Sequence, residues 1–239
     1  MQLFITLKNI GIIDIPVNYN FYIQSAIYRL LAEKNTDFAE HLHSVADGEK
    51  TKYKFFTFGS LIGKNHFHDK KLYFEGNIKL EIRSVSDEFI EMLADALTSG
   101  SPFCIGKHCL TAESVEKKEY TITDSLIKIR TLSSIVSKTQ TEDNKAVYYS
   151  PQDVMFIKRI RETFVNKYTV FSGKSPQSGI DILPVSAGKK IVTKYKDTWI
   201  TAYHGIFELC GDAEYLQFLY DVGLGVKTSQ GFGMFDVIS

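Results

Sequence analysis

The hydrophobic pattern of the first half of this chain switches between the period of a strand and the period of a helix. Helical spacing of apolar side chains predicts three helices, at residues 20–33, 37–45 and 86–97. Strand-like stretches are found at residues 2–8, 53–58 and 71–75, and from 103 to about 116. The resulting order of strand, helix, strand, strand, helix, strand is the ferredoxin-like arrangement.

The second half repeats this order loosely. Ser150 and Pro151 suit the cap and first turn of a helix over residues 151–168, and Asp212 suits the cap of a short helix over 212–222. Strands are predicted at residues 120–131, 179–185, 190–209 and 232–238. Element order therefore predicts an α+β protein with tandem ferredoxin-like (RRM-like) domains at 1–118 and 119–239. Each domain is expected to have an antiparallel sheet with helices on one face.

Composition narrows the class of protein. Hydrophobic residues make up 44% and charged residues 23% of the 239 positions, which is typical of a soluble globular chain. No stretch approaches the roughly 20 apolar residues that cross a bilayer, and residues 1–8 lack the features of a secretory signal. We therefore expect a cytoplasmic protein without a membrane partner. The three cysteines form no CxxC pair, so we expect buried reduced thiols, no metal site and no cofactor.

The charge distribution bears on nucleic-acid binding in two ways. The formal net charge is zero, with 28 basic and 28 acidic residues, whereas phosphate recognition usually leaves a basic footprint. Residues 145–196, however, contain ten Lys or Arg against three acidic residues. This local excess predicts a basic face on the second half.

A glycine-rich segment, residues 223–233, lies between the last predicted helix and the last predicted strand. Two Gly-x-Gly pairs flank five residues that include Lys227, Thr228 and Ser229. Glycines permit positive φ angles and a close backbone approach, and successive amides in such a turn can form an anion-binding nest. The spacing matches neither a dinucleotide fingerprint nor a Walker loop. The segment therefore favours contact with a phosphodiester backbone, although a helix-to-strand connection is the plainer alternative.

The glycine-rich segment resembles the C-terminal motif of the CRISPR-associated repeat-RNA endoribonucleases, the "Cas six" family of the repeat-associated ferredoxin-fold superfamily. The resemblance extends over most of the chain through further anchors at residues 16–28, 41–45, 54–58 and 198–205. It implies a metal-independent endoribonuclease that cleaves precursor CRISPR RNA within each repeat. The implied reaction is attack of a ribose 2′-hydroxyl on the adjacent phosphate, which leaves a 2′,3′-cyclic phosphate and a 5′-hydroxyl.

The resemblance places the family's catalytic residues on His43, Tyr28 and Lys54. Helical geometry also favours His43 over His41, because His43 lies about 140° from Phe38 on the far side of the apolar face. A tyrosine at the border of the apolar face of its helix, as Tyr28 is, more often serves packing. The lysine assignment stays open, because other lysines lie close to Lys54 in sequence, at Lys50 and Lys52.

The predicted RNA-binding residues belong to the glycine-rich segment and to the basic second half. They are Gly223, Gly225, Lys227, Ser229, Gly231, Gly233, Lys189, Lys190 and Lys194. Trp199 and Tyr203 suit either a base-stacking platform or a core, and Phe207 is expected in the core. The remaining histidines, His66, His68, His108 and His204, are expected in solvated or structural positions.

Precursor CRISPR RNA is thus the expected partner. A CRISPR effector complex is a further candidate partner, and the protein is expected as a monomer or a homodimer. Two other classes fit part of the pattern. A non-catalytic guide-RNA-binding subunit shares the fold and the glycine-rich segment but lacks the histidine. A ferredoxin-like metabolite sensor explains the order of the elements but not the glycine-rich segment.

Overall fold

The computed structural model describes residues 1–38, 40, 53–143, 145–186 and 188–239. The chain forms two compact units. The first comprises Met1–Lys54 and Gly59–Tyr120, and the second comprises Phe55–Phe58 and Thr121–Ser239. Both units contain antiparallel sheets and helices, which confirms the predicted α+β class.

The first unit contains two of the described helices, α1 (Asn20–Lys34) and α2 (Asp87–Thr98). Its strands are β1 (Gln2–Leu7), β2 (Ile12–Pro16), β4 (Ile62–His68), β5 (Lys71–Ser84), β6 (Phe103–Ile105), β7 (His108–Leu110) and β8 (Ala112–Lys118). The strand between α1 and β4 in sequence, β3 (Phe56–Phe58), belongs to the second unit. The main sheet has the order β2-β5-β1-β8, and β4 pairs with β5 as well.

Register explains how this sheet buries one face. β1 and β5 are antiparallel, and the pairs Leu3 with Ile82 and Ile5 with Leu80 lie directly opposite each other. All four side chains are buried. Directly opposed residues point to the same face of a sheet, so these pairs form a continuous apolar layer.

The two helices of the first unit pack against each other and bury the apolar faces that their spacing predicts. α1 buries Ile23, Ile27 and Leu30, and α2 buries Phe89 and Leu93. α2 begins where the Ser86 side chain accepts a hydrogen bond of 3.2 Å from the Phe89 amide, which satisfies one of the amides that a helix start leaves open. Of the predicted helix at 37–45, residues 37, 38 and 40 are described and are helical, and the remaining residues lie outside the described part of the chain.

The β6–β7 hairpin corrects the expectation for the cysteines. Cys104 and Cys109 are cross-strand partners and form a disulfide, and Cys210 is exposed. The pair lies next to a two-residue turn in which Gly106 has a φ of 63°. The absence of a CxxC spacing does not reveal such a pair, because the hairpin turn itself brings the two cysteines together.

The second unit is a ferredoxin-like fold with additional hairpins. Its helices are α3 (Val154–Ser172) and α4 (Ala213–Val222), with a 3₁₀ turn at Thr228–Gln230. Its strands after β3 are β9 (Leu126–Thr131), β10 (Lys138–Gln140), β11 (Ala146–Tyr148), β12 (Asp181–Pro184), β13 (Lys189–Tyr195), β14 (Thr198–His204), β15 (Ile206–Cys210) and β16 (Phe235–Val237). The sheet order β12-β15-β9-β16 follows from the chain order β9-α3-β12-β15-α4-β16, the βαββαβ pattern.

Three details of the elements differ from the sequence predictions. α3 begins at Val154 rather than at residue 151, because the Asp153 carboxylate accepts hydrogen bonds from the amide and hydroxyl of Ser150 and holds a turn there. The predicted strand over 190–209 is three strands, since Lys196 adopts a positive φ of 50° and reverses the chain after β13. The sequence predictions contain no strand at β2, β4, β10 or β11.

Within the described residues, no helix combines the length and the apolar character that a bilayer-spanning segment needs.

Candidate functional site

Two of the three predicted catalytic residues meet in the first unit. Tyr28 lies on α1 and is buried, and Lys54 precedes β3 and is half-buried. The Lys54 ammonium donates a hydrogen bond of 2.7 Å to the Tyr28 hydroxyl, and its Nζ lies 4.7 Å from the centre of the Tyr28 ring. The contact joins residues that are 26 positions apart in sequence. It places a cation and a phenol together, two groups that can stabilise charge and transfer protons.

The third predicted catalytic residue, His43, lies outside the described residues. The same holds for His41, its alternative, and for Lys50 and Lys52, the alternatives to Lys54. The structure therefore bears on the Tyr28 and Lys54 predictions by bringing these two side chains together. It does not place the histidine.

The glycine-rich segment of the second unit has a backbone that glycine alone adopts easily. Gly223, Gly225, Gly231 and Gly233 have φ angles of 82°, 74°, 81° and 78°. A Cβ at Gly225 would overlap the Val136 carbonyl oxygen, and a Cβ at Gly233 would overlap the Leu224 carbonyl oxygen. The glycines are thus required by the conformation and by close packing, whatever ligand the segment binds.

Several backbone amides of this segment donate hydrogen bonds to other backbone groups of the protein. The Gly233 amide donates to the Ser134 carbonyl at 3.0 Å, and the Gly231 amide donates to the Thr228 carbonyl at 3.0 Å. The Gly223 amide donates to the Leu219 carbonyl at 2.8 Å. Because these three amides already donate within the protein, fewer glycine amides can donate to a bound anion than the sequence predicts. All four glycines are also buried.

The part of the segment that reaches solvent runs from residue 226 to residue 230, where Lys227 and Ser229 are half-buried. Lys227 has a positive φ of 64°, which is uncommon for a residue with a side chain, and such strain often marks a functional position. Its Nζ donates to the Gln230 side chain at 3.2 Å. Burial lowers the pKa of Lys227, and the charge of Lys138 lowers it further. The charges of Lys138 and Lys227 thus lie close together, which favours binding of an anion beside Lys227.

Lys167, a third lysine beside the glycine-rich segment, is absent from the residues predicted from sequence. It lies on α3 and is only 3% exposed. Its Nζ donates to the Thr228 hydroxyl at 3.2 Å and to the Gly223 carbonyl at 3.4 Å. A signal for it does exist in the sequence. At 100° per residue Lys167 lies only about 20° from Phe156, within the apolar stripe of the helix, where a lysine is unexpected.

The predicted basic residues near the end of the second half lie on the β13–β14 hairpin. Lys190 is opposite Tyr203, and Lys194 is opposite Trp199. Opposed residues share a face, so two lysines alternate with two aromatic rings on one face of the hairpin. Trp199 is 62% exposed, and its carbonyl accepts a hydrogen bond of 2.9 Å from the Tyr148 hydroxyl. This face provides both stacking surface and positive charge.

Lys189 does not join that face. It lies one residue from Lys190 and is opposite His204, so it points to the other side of the hairpin. Burial, followed by the Lys189 charge, lowers the pKa of His204, and the His204 ring lies 3.1 Å from the Thr131 hydroxyl. Phe207, expected in the core, is fully buried.

The other histidines of the first unit occupy surface and structural positions. The His66 ring stacks on Tyr73 with 5.2 Å between ring centres, and His108 lies 3.2 Å from the Asp14 carboxylate. Hydrogen bonds from Lys107 and Lys71 and, to a smaller degree, from His108 hold the pKa of Asp14 well below its usual range. Within the part of the chain that the structure describes, no three His, Cys, Asp or Glu side chains cluster as metal ligands would.

Family models match both halves of the chain. The model described as "CRISPR-associated protein Cas6, N-terminal" matches residues 14–117. The model described as "CRISPR associated protein Cas6, C-terminal" matches residues 115–237. The second match alone covers more than half of the 239 residues.

Individual relatives match over almost the whole chain. The "CRISPR-associated endoribonuclease Cas6 1" of Methanocaldococcus jannaschii is 27% identical, over 98% of this chain and 91% of that protein. A "putative CRISPR-associated endoribonuclease-like protein Cas6nc" of Pyrococcus horikoshii is 25% identical, over 94% and 93%. The solved structure of a Cas6-related protein of Pyrococcus furiosus superimposes with a TM-score of 0.87 at 24% identity, and the match covers 100% of this chain and 98% of that one. This likeness supports the fold.

Proposed function

Because the chain belongs to the Cas6 family of CRISPR-associated proteins, we propose that it is a metal-independent endoribonuclease that cleaves precursor CRISPR RNA within each repeat. A relative named as an endoribonuclease that spans 98% of the chain supports this activity. The observation in the structure that most directly supports it is the 2.7 Å contact between the Lys54 ammonium and the Tyr28 hydroxyl.

The proposed reaction needs no group beyond side chains and RNA. The ribose 2′-oxygen forms a bond to the adjacent phosphorus, the bond from phosphorus to the 5′-oxygen breaks, and a 2′,3′-cyclic phosphate remains. A base takes the proton of the 2′-hydroxyl, and an acid delivers a proton to the leaving 5′-oxygen. In this proposal His43 serves in proton transfer, while Lys54 and Tyr28 stabilise the negative charge that develops on the phosphorane oxygens.

The second unit is proposed to hold the RNA. Lys227 and Ser229 would contact phosphates from the solvent-facing part of the glycine-rich segment, and the four glycines would keep that part in shape. Lys190 and Lys194 would add charge along the aromatic face of the β13–β14 hairpin, where Trp199 would stack on a base. In this proposal RNA cleavage and RNA binding therefore depend on different residues.

The test of the proposed function is a cleavage assay with end-labelled repeat RNA in the presence of EDTA. We expect a single cut in each repeat, with a 2′,3′-cyclic phosphate at the end of the 5′ fragment, which acid treatment followed by phosphatase and gel mobility identifies. Repeat RNA with 2′-O-methyl riboses is the control and is expected to stay intact while it binds. Binding without cutting of the unmodified RNA would instead identify a guide-RNA-binding subunit, and absence of binding would exclude both RNA functions.

Trp199 provides a separate test of the RNA-binding face. Trp199→Ala is expected to weaken binding of repeat RNA by about 1–3 kcal/mol, because stacking of one base on an aromatic ring contributes that much. Fluorescence anisotropy with 2′-O-methyl repeat RNA measures the dissociation constant. Phe67→Ala is the matched control, since Phe67 is an aromatic of β4 with a similar exposed fraction, 65%. Equal affinities for the Trp199 and Phe67 variants would remove Trp199 from the RNA-binding face.

A further inference from the structure

The buried lysine of α3 has a hydrogen-bonding pattern that suits a neutral amine better than an ammonium. Lys167 Nζ has two acceptors among the described residues, the Gly223 carbonyl and the Thr228 hydroxyl. A neutral amine donates two hydrogen bonds, whereas an ammonium donates three. The third donor of a protonated Lys167 therefore has no acceptor in the part of the chain that the structure describes, although the side chain is 97% removed from solvent.

The charged groups around Lys167 do not supply a counter-ion either. The titratable residues of α3 and of the elements packed on it are Lys158, Arg159, Arg161, Glu162 and Tyr168 of α3, Asp181 of β12, Lys138 of β10, Glu214, Tyr215, Tyr220 and Asp221 of α4, and Lys227 of the glycine-rich segment.

The acidic groups in that set have other partners. Glu162 and Asp181 pair with Arg159 and Arg161. The other two acidic groups, Glu214 and Asp221, accept hydrogen bonds from Tyr168 and Gln217. Lys167 forms no ion pair with a described carboxylate within 4.0 Å. Burial alone accordingly lowers the pKa of Lys167 to about 7, so the neutral and charged forms coexist near neutral pH.

The position of Lys167 connects this titration to the RNA-binding part of the segment. Thr228, which accepts one of its hydrogen bonds, is buried and lies in sequence between the half-buried residues Lys227 and Ser229. A phosphate held by Lys227 and Ser229 would lie on the outer side of the backbone whose inner side contacts Lys167. Such an anion would be separated from the buried Lys167 amine by one backbone segment, and a nearby negative charge favours the charged form of a lysine.

We propose that Lys167 is a positioning residue of the glycine-rich segment, and that it takes up a proton when an RNA phosphate binds on the outer side of that segment. The inference rests on the proposed RNA-binding function and adds a regulated element to it. Binding of RNA and protonation of Lys167 are thermodynamically linked, so each favours the other. RNA is held more tightly at pH 6 than at pH 8.5.

The test compares the pH dependence of RNA affinity in the wild-type protein and in Lys167→Met, with 2′-O-methyl repeat RNA as an uncleavable probe. Methionine fills nearly the same volume and does not titrate. Wild-type affinity is expected to fall on the order of five- to tenfold from pH 6 to pH 8.5 beyond the change seen in Lys167→Met, for a rise of about one pKa unit in the complex. Lys158→Met is the matched control, because Lys158 is an exposed lysine of the same helix, and it is expected to keep the wild-type profile.

A second measurement detects the proton uptake directly. Calorimetric titration of the wild-type protein with RNA at pH 7, in buffers of different ionisation enthalpy, is expected to report net proton uptake that Lys167→Met reduces. Tight RNA binding with the same pH profile and the same proton uptake in both proteins would overturn the inference and leave the proposed function intact. Failure of the wild-type protein to bind repeat RNA at any pH would overturn the proposed function itself, and the inference with it.

Discussion

Gly233→Ala is expected to lower the free energy of unfolding by about 2–5 kcal/mol, which is a large part of the stability of a unit this size. Two costs add. Gly233 has a φ of 78°, which an L-residue with a side chain adopts only with strain. The new methyl group would also overlap the Leu224 carbonyl oxygen. The backbone has no room to move, because the Gly233 carbonyl accepts from the Leu224 amide at 2.9 Å and its amide donates to the Ser134 carbonyl at 3.0 Å.

Thermal and urea unfolding followed by circular dichroism measure this effect. Gly173→Ala is the matched control, because Gly173 lies in the same unit with a φ of 74° and its added Cβ would meet no atom within 4 Å. The control isolates the conformational cost, expected at about 1 kcal/mol. If Gly233→Ala were no more destabilising than Gly173→Ala, the close packing around residue 233 would not constrain the fold.

The same pair of variants separates the structural and binding roles of the glycines. The described amides of Gly223, Gly231 and Gly233 already donate within the protein, so in the proposed function these glycines would act through the shape of residues 226–230. We therefore expect Gly233→Ala also to weaken RNA binding, because Lys227 would be displaced. The sequence prediction counts the four glycines as RNA contacts together with Lys227 and Ser229, whereas the hydrogen bonds of the glycine amides favour contact through the residues between the glycine pairs.

The fold was largely predictable because it depends on local periodicity. The strands and helices of the βαββαβ pattern in the second unit leave apolar residues at spacings of two or of three to four, and their order selects the sheet order. β4 is not predicted in this way because none of its residues is buried, so its sequence has no alternation of apolar and polar side chains. The β13–β14 hairpin escapes it because its turn residue, Lys196, is neither glycine nor asparagine although its φ is positive.

The candidate site was less predictable because its contacts join distant parts of the chain. No sequence pattern connects Tyr28 with Lys54, and only the family resemblance identifies both as candidate catalytic residues. Lys167 contacts residues 56 and 61 positions away. For such a residue the sequence shows only that a lysine lies at an apolar position of a helix. This identifies the position as unusual, but it does not identify the residues that the lysine contacts.

The catalytic assignment leads to the largest expected loss of activity. His43→Ala is expected to abolish cleavage of repeat RNA while most of the binding remains, because a proton-transfer group contributes about 10²–10⁴-fold to the rate and little to the ground state. Single-turnover cleavage of labelled RNA measures the rate constant, and anisotropy measures the affinity. His41→Ala is the matched control two residues away and is expected to cleave normally. Cleavage that persists in His43→Ala and stops in His41→Ala would move the assignment to His41.

Lys54 is then tested in the same assay, because the alternatives Lys50 and Lys52 remain open from sequence. Lys54→Ala is expected to slow cleavage by about 10²–10³-fold, the cost of removing one donor to a developing oxyanion. Lys52→Ala is the control and is expected to change the rate only slightly, since the 2.7 Å contact to the Tyr28 hydroxyl belongs to Lys54. If Tyr28 and Lys54 act as one unit, Tyr28→Phe adds less to Lys54→Ala than it costs alone. Additive losses in that double variant would mean that the two groups act on the phosphate independently, and a larger loss in Lys52→Ala would assign the catalytic cation to Lys52.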